Sequence, residues 1–514
     1  MLTYPSYIRL VLLFTITLGA WQCAKEPENT PVEIYPETTL EENAGNWKMY
    51  LAGAPSEIPV AAPAAADSPE YLAELETLKG LAAQLTDSQK STVQYWGGNG
   101  VLRWHEVARE MAALYNVPPD NNADGTYPTP DPLNPLSYPR FPFANPPYTS
   151  RALALLAVAQ YDALVTVWHY KFAHRRLAPA HYDSAIRPLI PVNDLPSYPS
   201  EDAAVAAASQ AVLSRLFPGE TASLSARAEE HRNSRLWAGA NTSSDIAAGA
   251  AIGAAIAEKV LAYAQNDKMS TANKQADYPL LLADARSRGL QALWTSRDIP
   301  ARPPMLPFFG KVKTWHFDQA ALASIRPPLP PLPGESLYAS ELEEVKHIAT
   351  HRTREQFRIA AFWADGPGSY TPPGHWNRIA AELVARYRQN EVRSARTMAL
   401  LCTAVHDAGV SCWEAKYYYL TPRPTEMDSR VTTSTGIPNF PAYPSGHSTF
   451  SAAAAEMLTF LFPEEQTYLW NMANEASESR IMGGIHFRSD CQEGLLLGTK
   501  TAGYAVQRAQ SDGG

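Results

Sequence analysis

Apolar positions recur at helical spacing, three or four residues apart, along most of this chain. The pattern predicts helices over 69–85, 89–115, 150–172, 200–216, 222–264, 340–363, 375–389 and 392–420. Strict alternation, the mark of a half-buried strand, is rare. The expected fold class is all-α: a helical bundle whose antiparallel helices bury apolar stripes on one another. Two proline-rich stretches, 117–148 and 302–335, interrupt the helices and exceed the length of simple connectors. Their aromatic residues, Tyr138, Phe141, Phe143 and Tyr148 in one and Phe308, Phe309, Trp315 and Phe317 in the other, predict segments packed over the bundle and lining the mouth of a site.

The first 23 residues read differently. Arg9 precedes a short apolar run from Leu10 to Trp21, too short to span a bilayer and typical of an export signal. Cys23, followed by a polar tether, gives it the look of a lipoprotein leader, although Gln22 departs from the usual small residue before the cysteine. The expected organisation is a leader over 1–23, an irregular tether over 24–67 and one all-α catalytic domain over 68–514. No later run is expected to reach membrane-spanning length, so membrane contact would go through a lipid on Cys23 and the protein would act in the periplasm or cell envelope. The net charge of −9, without a basic run, argues against nucleic acid. Cys402, Cys412 and Cys491 read as small buried residues, and no Cys/His spacing suggests zinc.

The chemistry concentrates between Lys416 and Asp490. Lys416 lies at the edge of an apolar stripe formed by Leu401, Val405, Ala408, Cys412 and Ala415; a cation there is costly unless an anion meets it. Arg423 follows in a stiff turn between Pro422 and Pro424. Ser445 precedes an alanine-rich helix stopped by Pro463, so it reads as an N-cap, with the amides of Gly446 and His447 at the positive helix end. Arg480 continues the stripe of Leu469, Met472, Ala473 and Ala476 into a core, where a guanidinium needs an anionic partner. Gly483 and Gly484 break that helix, and His486 falls in the turn, one helical turn before Asp490, which would fix its tautomer. This inventory suits a tetrahedral oxyanion. Other histidines carry weaker patterns. His347 and His351 share a helix face; His316 and His375 are placed to face the pocket; Asp407, beside His406, is a candidate partner for a site arginine.

Lys416 to Arg423-Pro424, then Pro444 to His447, then Ser479-Arg480, His486 and Asp490 resemble the three motif blocks of the type 2 phosphatidic acid phosphatase (PAP2) and vanadium-dependent haloperoxidase superfamily, in order and with matching spacing. The resemblance implies one or two four-helix bundles with the site between helices. It implies that Lys416, Arg423 and Arg480 bind the equatorial oxygens of vanadate or phosphate, with hydrogen bonds from Ser445 and Gly446. His486 would be the axial vanadium ligand or the phosphate nucleophile, and His447 the acid/base. Phe440 matches the halide-pocket position of the chloroperoxidase branch, and Asp407, Trp413 and Lys416 match that branch's lead into the lysine.

Three functions follow as expectations. The first is an exported vanadium-dependent haloperoxidase that oxidises halide with peroxide at vanadate held on His486. The second is an acid phosphatase that hydrolyses phosphomonoesters through a phosphohistidine and needs no cofactor. The third is a non-catalytic phosphate-binding lipoprotein, which would have no use for His447 and Asp490.

Overall fold

The computed structural model describes residues 33–35, 39–131 and 133–514, so the leader and Cys23 lie outside the described residues. Among the described residues every regular element is helical, as the apolar spacing predicts. Eight helices form two four-helix bundles and are numbered α1 to α8. The first bundle holds α1 (Pro146–His174), α2 (Glu201–Leu216), α3 (Thr221–Trp237) and α4 (Ser243–Gln265). The second holds α5 (Glu391–Tyr419), α6 (Gly446–Leu461), α7 (Gln466–Met482) and α8 (Arg488–Ala509). The long helices α1 and α5 pack on each other and join the two bundles through one continuous apolar core.

Local chemistry sets the helix ends. Asn145 and Asn390 cap α1 and α5, each accepting from the amide three residues on. Both helices stop on a residue in the left-handed region, Arg175 at φ 54° and Leu420 at φ 52°. Bundle helices also meet backbone to backbone. A Cβ on Gly253 of α4 would stand 2.2 Å from the Ala204 carbonyl oxygen of α2, and one on Gly498 of α8 would stand 2.3 Å from that of Thr449 in α6. The two bundles repeat each other in register. Pro146, Glu201, Thr221 and Ser243 begin their helices 245 positions before Glu391, Gly446, Gln466 and Arg488.

Several expected boundaries are corrected. The span 89–115 is two helices, Asp87–Trp96 and Gly100–Tyr115, because Asn99 caps a new start. The span 222–264 divides into α3 and α4 at a capping box on Thr242, and 340–363 divides at one on Thr353. In each case the apolar phase continues across the break while a polar side chain takes the orphan amides. The membrane expectation is corrected too. The stretches Pro146–His181 and Ser243–Thr271 are long and apolar enough to cross a membrane by length and composition. The apolar window of the first is 94% buried inside the protein, as a core helix requires.

Candidate functional site

The residues singled out between Lys416 and Asp490 converge at one end of the second bundle. Lys416 leaves the last turn of α5 fully buried, and its Nζ donates to the carbonyls of Pro441, Ala442 and Pro444 at 2.8, 2.8 and 2.6 Å. Arg423, in the proline-flanked turn, is equally buried and donates from Nε and Nη2 to the Phe440 carbonyl at 3.2 and 3.0 Å. The loop before α6 therefore lines its carbonyls along the two cations. Arg480, in the last turn of α7, donates from Nη1 to the Trp363 carbonyl at 2.9 Å. These acceptors carry no formal charge, Asp490 near Lys416 and Arg423 and Asp365 near Arg480 leave three buried cations facing two carboxylates, and each ion forfeits several kcal/mol of hydration. Burial pushes Lys416 down to about 7 and Arg423 and Arg480 down to about 10.

Two histidines complete the cluster. His486 Nδ1 and Asp490 Oδ2 lie 2.9 Å apart, one turn of chain separating them. That bond places the proton on Nδ1 and leaves the Nε2 lone pair inward, where Arg423 Nη1 donates to it at 2.8 Å. Burial, and then the charges of Arg423, Lys416 and Arg480, hold His486 well below the usual histidine range. Burial also pushes Asp490 up to about 7. His447, in the first turn of α6, is depressed by burial and by Arg480. Ser445 caps α6, its Oγ accepting from the Ser448 amide at 3.4 Å, while its own amide donates to the Asp490 carbonyl at 2.8 Å. That last bond ties the start of α6 to the start of α8. A Cβ on Gly446 would stand 3.9 Å from Lys416 Cε, in the space between the helix start and the lysine.

The donor set fits an oxyanion. Arg480 Nε and His447 Nε2 are buried without a hydrogen-bond partner, the first placed to donate to an oxyanion and the second to exchange a proton beside it. An aromatic wall closes one side: the Phe440 ring lies 5.1 Å from Lys416 Nζ and 5.2 Å from the Arg423 guanidinium, and Trp413 packs on Phe440 at 4.9 Å.

Other expectations are corrected. Asp407 does not meet a site arginine; it accepts from the Trp315 and His316 amides at 2.8 and 3.1 Å and lies 2.9 Å from His316 Nδ1. His316 is thereby turned away from the oxyanion pocket, and the pair fastens the second proline-rich stretch to α5. That stretch and the first line a cavity of about 770 Å³ with Tyr127, Phe141, Tyr148 and Met305, and none of the expected oxyanion or halide residues borders it. The first stretch leads into α1, so it covers the other bundle. The second reaches the site's outer layer through the Met305 carbonyl, which accepts from Trp413 Nε1 at 3.3 Å, through Phe309, whose ring lies 6.2 Å from that of Trp413, and through the Pro328 carbonyl, which accepts from Tyr443 Oη at 2.7 Å. His347 and His351 stack on each other on an exposed face. His375 lies behind the pocket: its Nδ1 is 3.0 Å from Asp365 Oδ2, and its ring stacks on Trp363 at 4.5 Å. Trp363 and Asp365 were not singled out from the sequence. Trp363 enters through its carbonyl, a group common to every residue type, so nothing in its side chain could announce it.

Comparisons with known proteins agree with this geometry. Residues 396–512 match the PAP2 superfamily model. Vanadium chloroperoxidase of Curvularia inaequalis is 26% identical over 202 residues, 31% of this chain and 33% of its own length. Non-specific acid phosphatase of Providencia stuartii is 31% identical over 103 residues, 19% of this chain and 42% of its own length. The chain thus spans less than half the length of either curated relative. The crystal structure of a bacterial vanadium-dependent iodoperoxidase superposes with a TM-score of 0.55 at 23% identity, covering 71% of this chain and 91% of that one, which establishes the fold. Motif blocks, helical architecture and family match together show residues 396–512 to be similar to the PAP2 superfamily.

Proposed function

We propose that the chain is a vanadium-dependent haloperoxidase, oxidising halide with hydrogen peroxide. The observation that carries this reading over hydrolysis is the Phe440–Trp413 wall against Lys416. It gives a small, polarisable anion an apolar surface beside a buried cation. It offers no polar group for the alcohol half of a phosphate ester. The similarity to vanadium chloroperoxidase supports the same branch.

His486 Nε2 would hold the metal, with Asp490 fixing the tautomer, and Lys416, Arg423, Arg480, Ser445 and the Gly446 amide would hold the oxyanion's oxygens. Vanadate, when bound, supplies Lewis-acid activation of peroxide. Arg423 would leave the His486 lone pair to grip an oxygen instead. His447, neutral because of burial and Arg480, can accept a proton at Nε2 from incoming peroxide and return it to the departing oxygen. Lys416 would stabilise negative charge that develops next to Phe440.

The second reading, a phosphatase in which His486 attacks phosphorus, uses the same cations, and the acid phosphatase similarity favours it. One preparation in two assays separates them. Vanadate, peroxide and bromide or iodide are supplied to follow halogenation of a dye, and a chromogenic phosphate ester is supplied without vanadate. Halogenation that His486→Ala abolishes, with only trace ester hydrolysis, is expected. Efficient hydrolysis that vanadate merely inhibits would replace the haloperoxidase with the phosphatase. We further propose export, with a lipid on Cys23 as the anchor; metabolic labelling with a fatty acid, lost in Cys23→Ala, is the expected result.

A further inference from the structure

The register between the bundles extends to the site. Counting back 245 positions from Lys416, Ser445, Arg480 and Asp490 gives Lys171, Ser200, Arg235 and Asp245, the same residue types. Their bonds repeat as well. Lys171 Nζ donates to the Pro196 carbonyl as Lys416 does to Pro441. Ser200 caps α2 as Ser445 caps α6. The Ser200 amide donates to the Asp245 carbonyl at 3.0 Å, as the Ser445 amide does to Asp490 at 2.8 Å. Asp245 accepts from the Thr242 amide at 2.7 Å, as Asp490 does from Phe487 at 3.0 Å. A cavity of about 120 Å³ borders this cluster through Arg235, lined also by Pro196, Ser197, Glu201, Asp202 and Asn241 among others.

The two copies differ where a ligand would bind. Gly446, His447 and His486 correspond to Glu201, Asp202 and Asn241. Glu201 Oε2 lies 2.7 Å from Lys171 Nζ, and Asp202 Oδ2 lies 3.6 Å from Arg235 Nη1. In the second bundle the corresponding lysine and arginine meet only carbonyl oxygens. A third cation, Arg176, pairs with Asp245, and its Nε and Nη1 are buried without a partner. Lys171, Arg176 and Arg235 are thus matched by Glu201, Asp202 and Asp245, whereas Lys416, Arg423 and Arg480 in the other copy have Asp490 and Asp365 near them and no carboxylate in the places of Glu201 and Asp202.

We propose that the first bundle carries a second, latent tetrahedral-oxyanion site, kept closed by the carboxylates of Glu201 and Asp202 in the places of the ligand's oxygens. The inference rests on reading the Lys416–Arg480 pocket as an oxyanion site. Inorganic phosphate titrated calorimetrically into the full chain tests it. Wild type is expected to bind one equivalent, lost in Arg480→Ala. Glu201→Gly/Asp202→Ser is expected to bind two, one of which survives Arg480→Ala and disappears when Lys171→Met is added. A folded double variant that binds no additional phosphate overturns the proposal. If circular dichroism shows that the double variant does not fold, Glu201→Ser is used in the Arg480→Ala background. It keeps the Asp202 pairs, and it must gain one equivalent or the proposal fails. If wild type binds none while the variant gains one, the latent site stands and the reading of the second-bundle pocket fails instead.

Discussion

Lys416 shows how a single residue sets the pH behaviour of the pocket. Its ordinary value is 10.5, and burial holds it at about 7. Between those limits the unfolded chain binds one proton more than the native chain, so this group adds stability as pH rises from 7 and subtracts it below. An oxyanion reverses the shift, because it favours the charged lysine, and binding then takes up a proton in that window. Affinity for vanadate or phosphate should fall above pH 7, by up to about tenfold per unit. Lys416→Gln should lose that component, which separates it from the anion's own titration; an unchanged slope would refute the assignment. Asp490 acts through His486. Asp490→Asn should cost about 10–100-fold in oxyanion affinity, as removal of a ligand's orienting partner commonly does. Equilibrium dialysis of vanadate at fixed pH measures it. The His447 side chain is set in a different way, by burial and Arg480, so His447→Ala should reduce turnover while leaving vanadate affinity close to wild type.

At the scale of elements, the pocket depends on how α6 and α8 are seated. The Ser445 amide bond to the Asp490 carbonyl fixes one helix start against the other, and Gly498 lets the helices touch a turn further along. Gly498→Ala places a Cβ 2.3 Å from a backbone oxygen that cannot swing aside. It should destabilise by about 1–3 kcal/mol or more through overpacking. It should also weaken oxyanion binding, though Gly498 is not in the pocket. Urea unfolding and vanadate titration of the same variant test the pair of effects. A loss of stability with full affinity would show that the helix seat and the pocket are independent. The proline-rich segment 302–335 is coupled to α5 through the Asp407–His316 bond rather than to the oxyanion. Asp407→Ala is accordingly expected to loosen that segment, seen as faster proteolysis there, before it affects oxyanion affinity.

For the whole molecule, burying three cations at one end of a bundle leaves stability that only an anion can recover. A ligand present at 100 times its dissociation constant contributes about 2.7 kcal/mol. Phosphate or vanadate should therefore raise the melting temperature of wild type but not of Arg480→Ala, read by scanning calorimetry. The duplicated bundle makes the same point in reverse. Its copy of the pocket is neutralised by Glu201 and Asp202 and so should add no second phosphate-dependent increment to the melting temperature of wild type.

The sequence alone was enough for much of this. Apolar spacing fixed the all-α class because a helix stripe is a local, repeating signal. The blocks around Lys416, Ser445 and His486 marked the pocket because each carries its chemistry on side chains of fixed order and spacing. The pairing of His486 with Asp490 was legible for the same reason, since one helical turn separates them. Other features waited for the tertiary structure. Helix breaks at Asn99, Thr242 and Thr353 are single capping residues inside an unbroken apolar phase. The Trp363 carbonyl, the turning of His316 onto Asp407 and the bonding of Lys416 to three loop carbonyls join segments distant in the chain through backbone atoms or rotamers that residue identity does not encode. The repeat was written in the chain as Tyr198-Pro199-Ser200 and Tyr443-Pro444-Ser445. Its meaning was not, because whether a carboxylate fills an anion site or faces solvent is decided only when the buried lysine and arginine are seen against it.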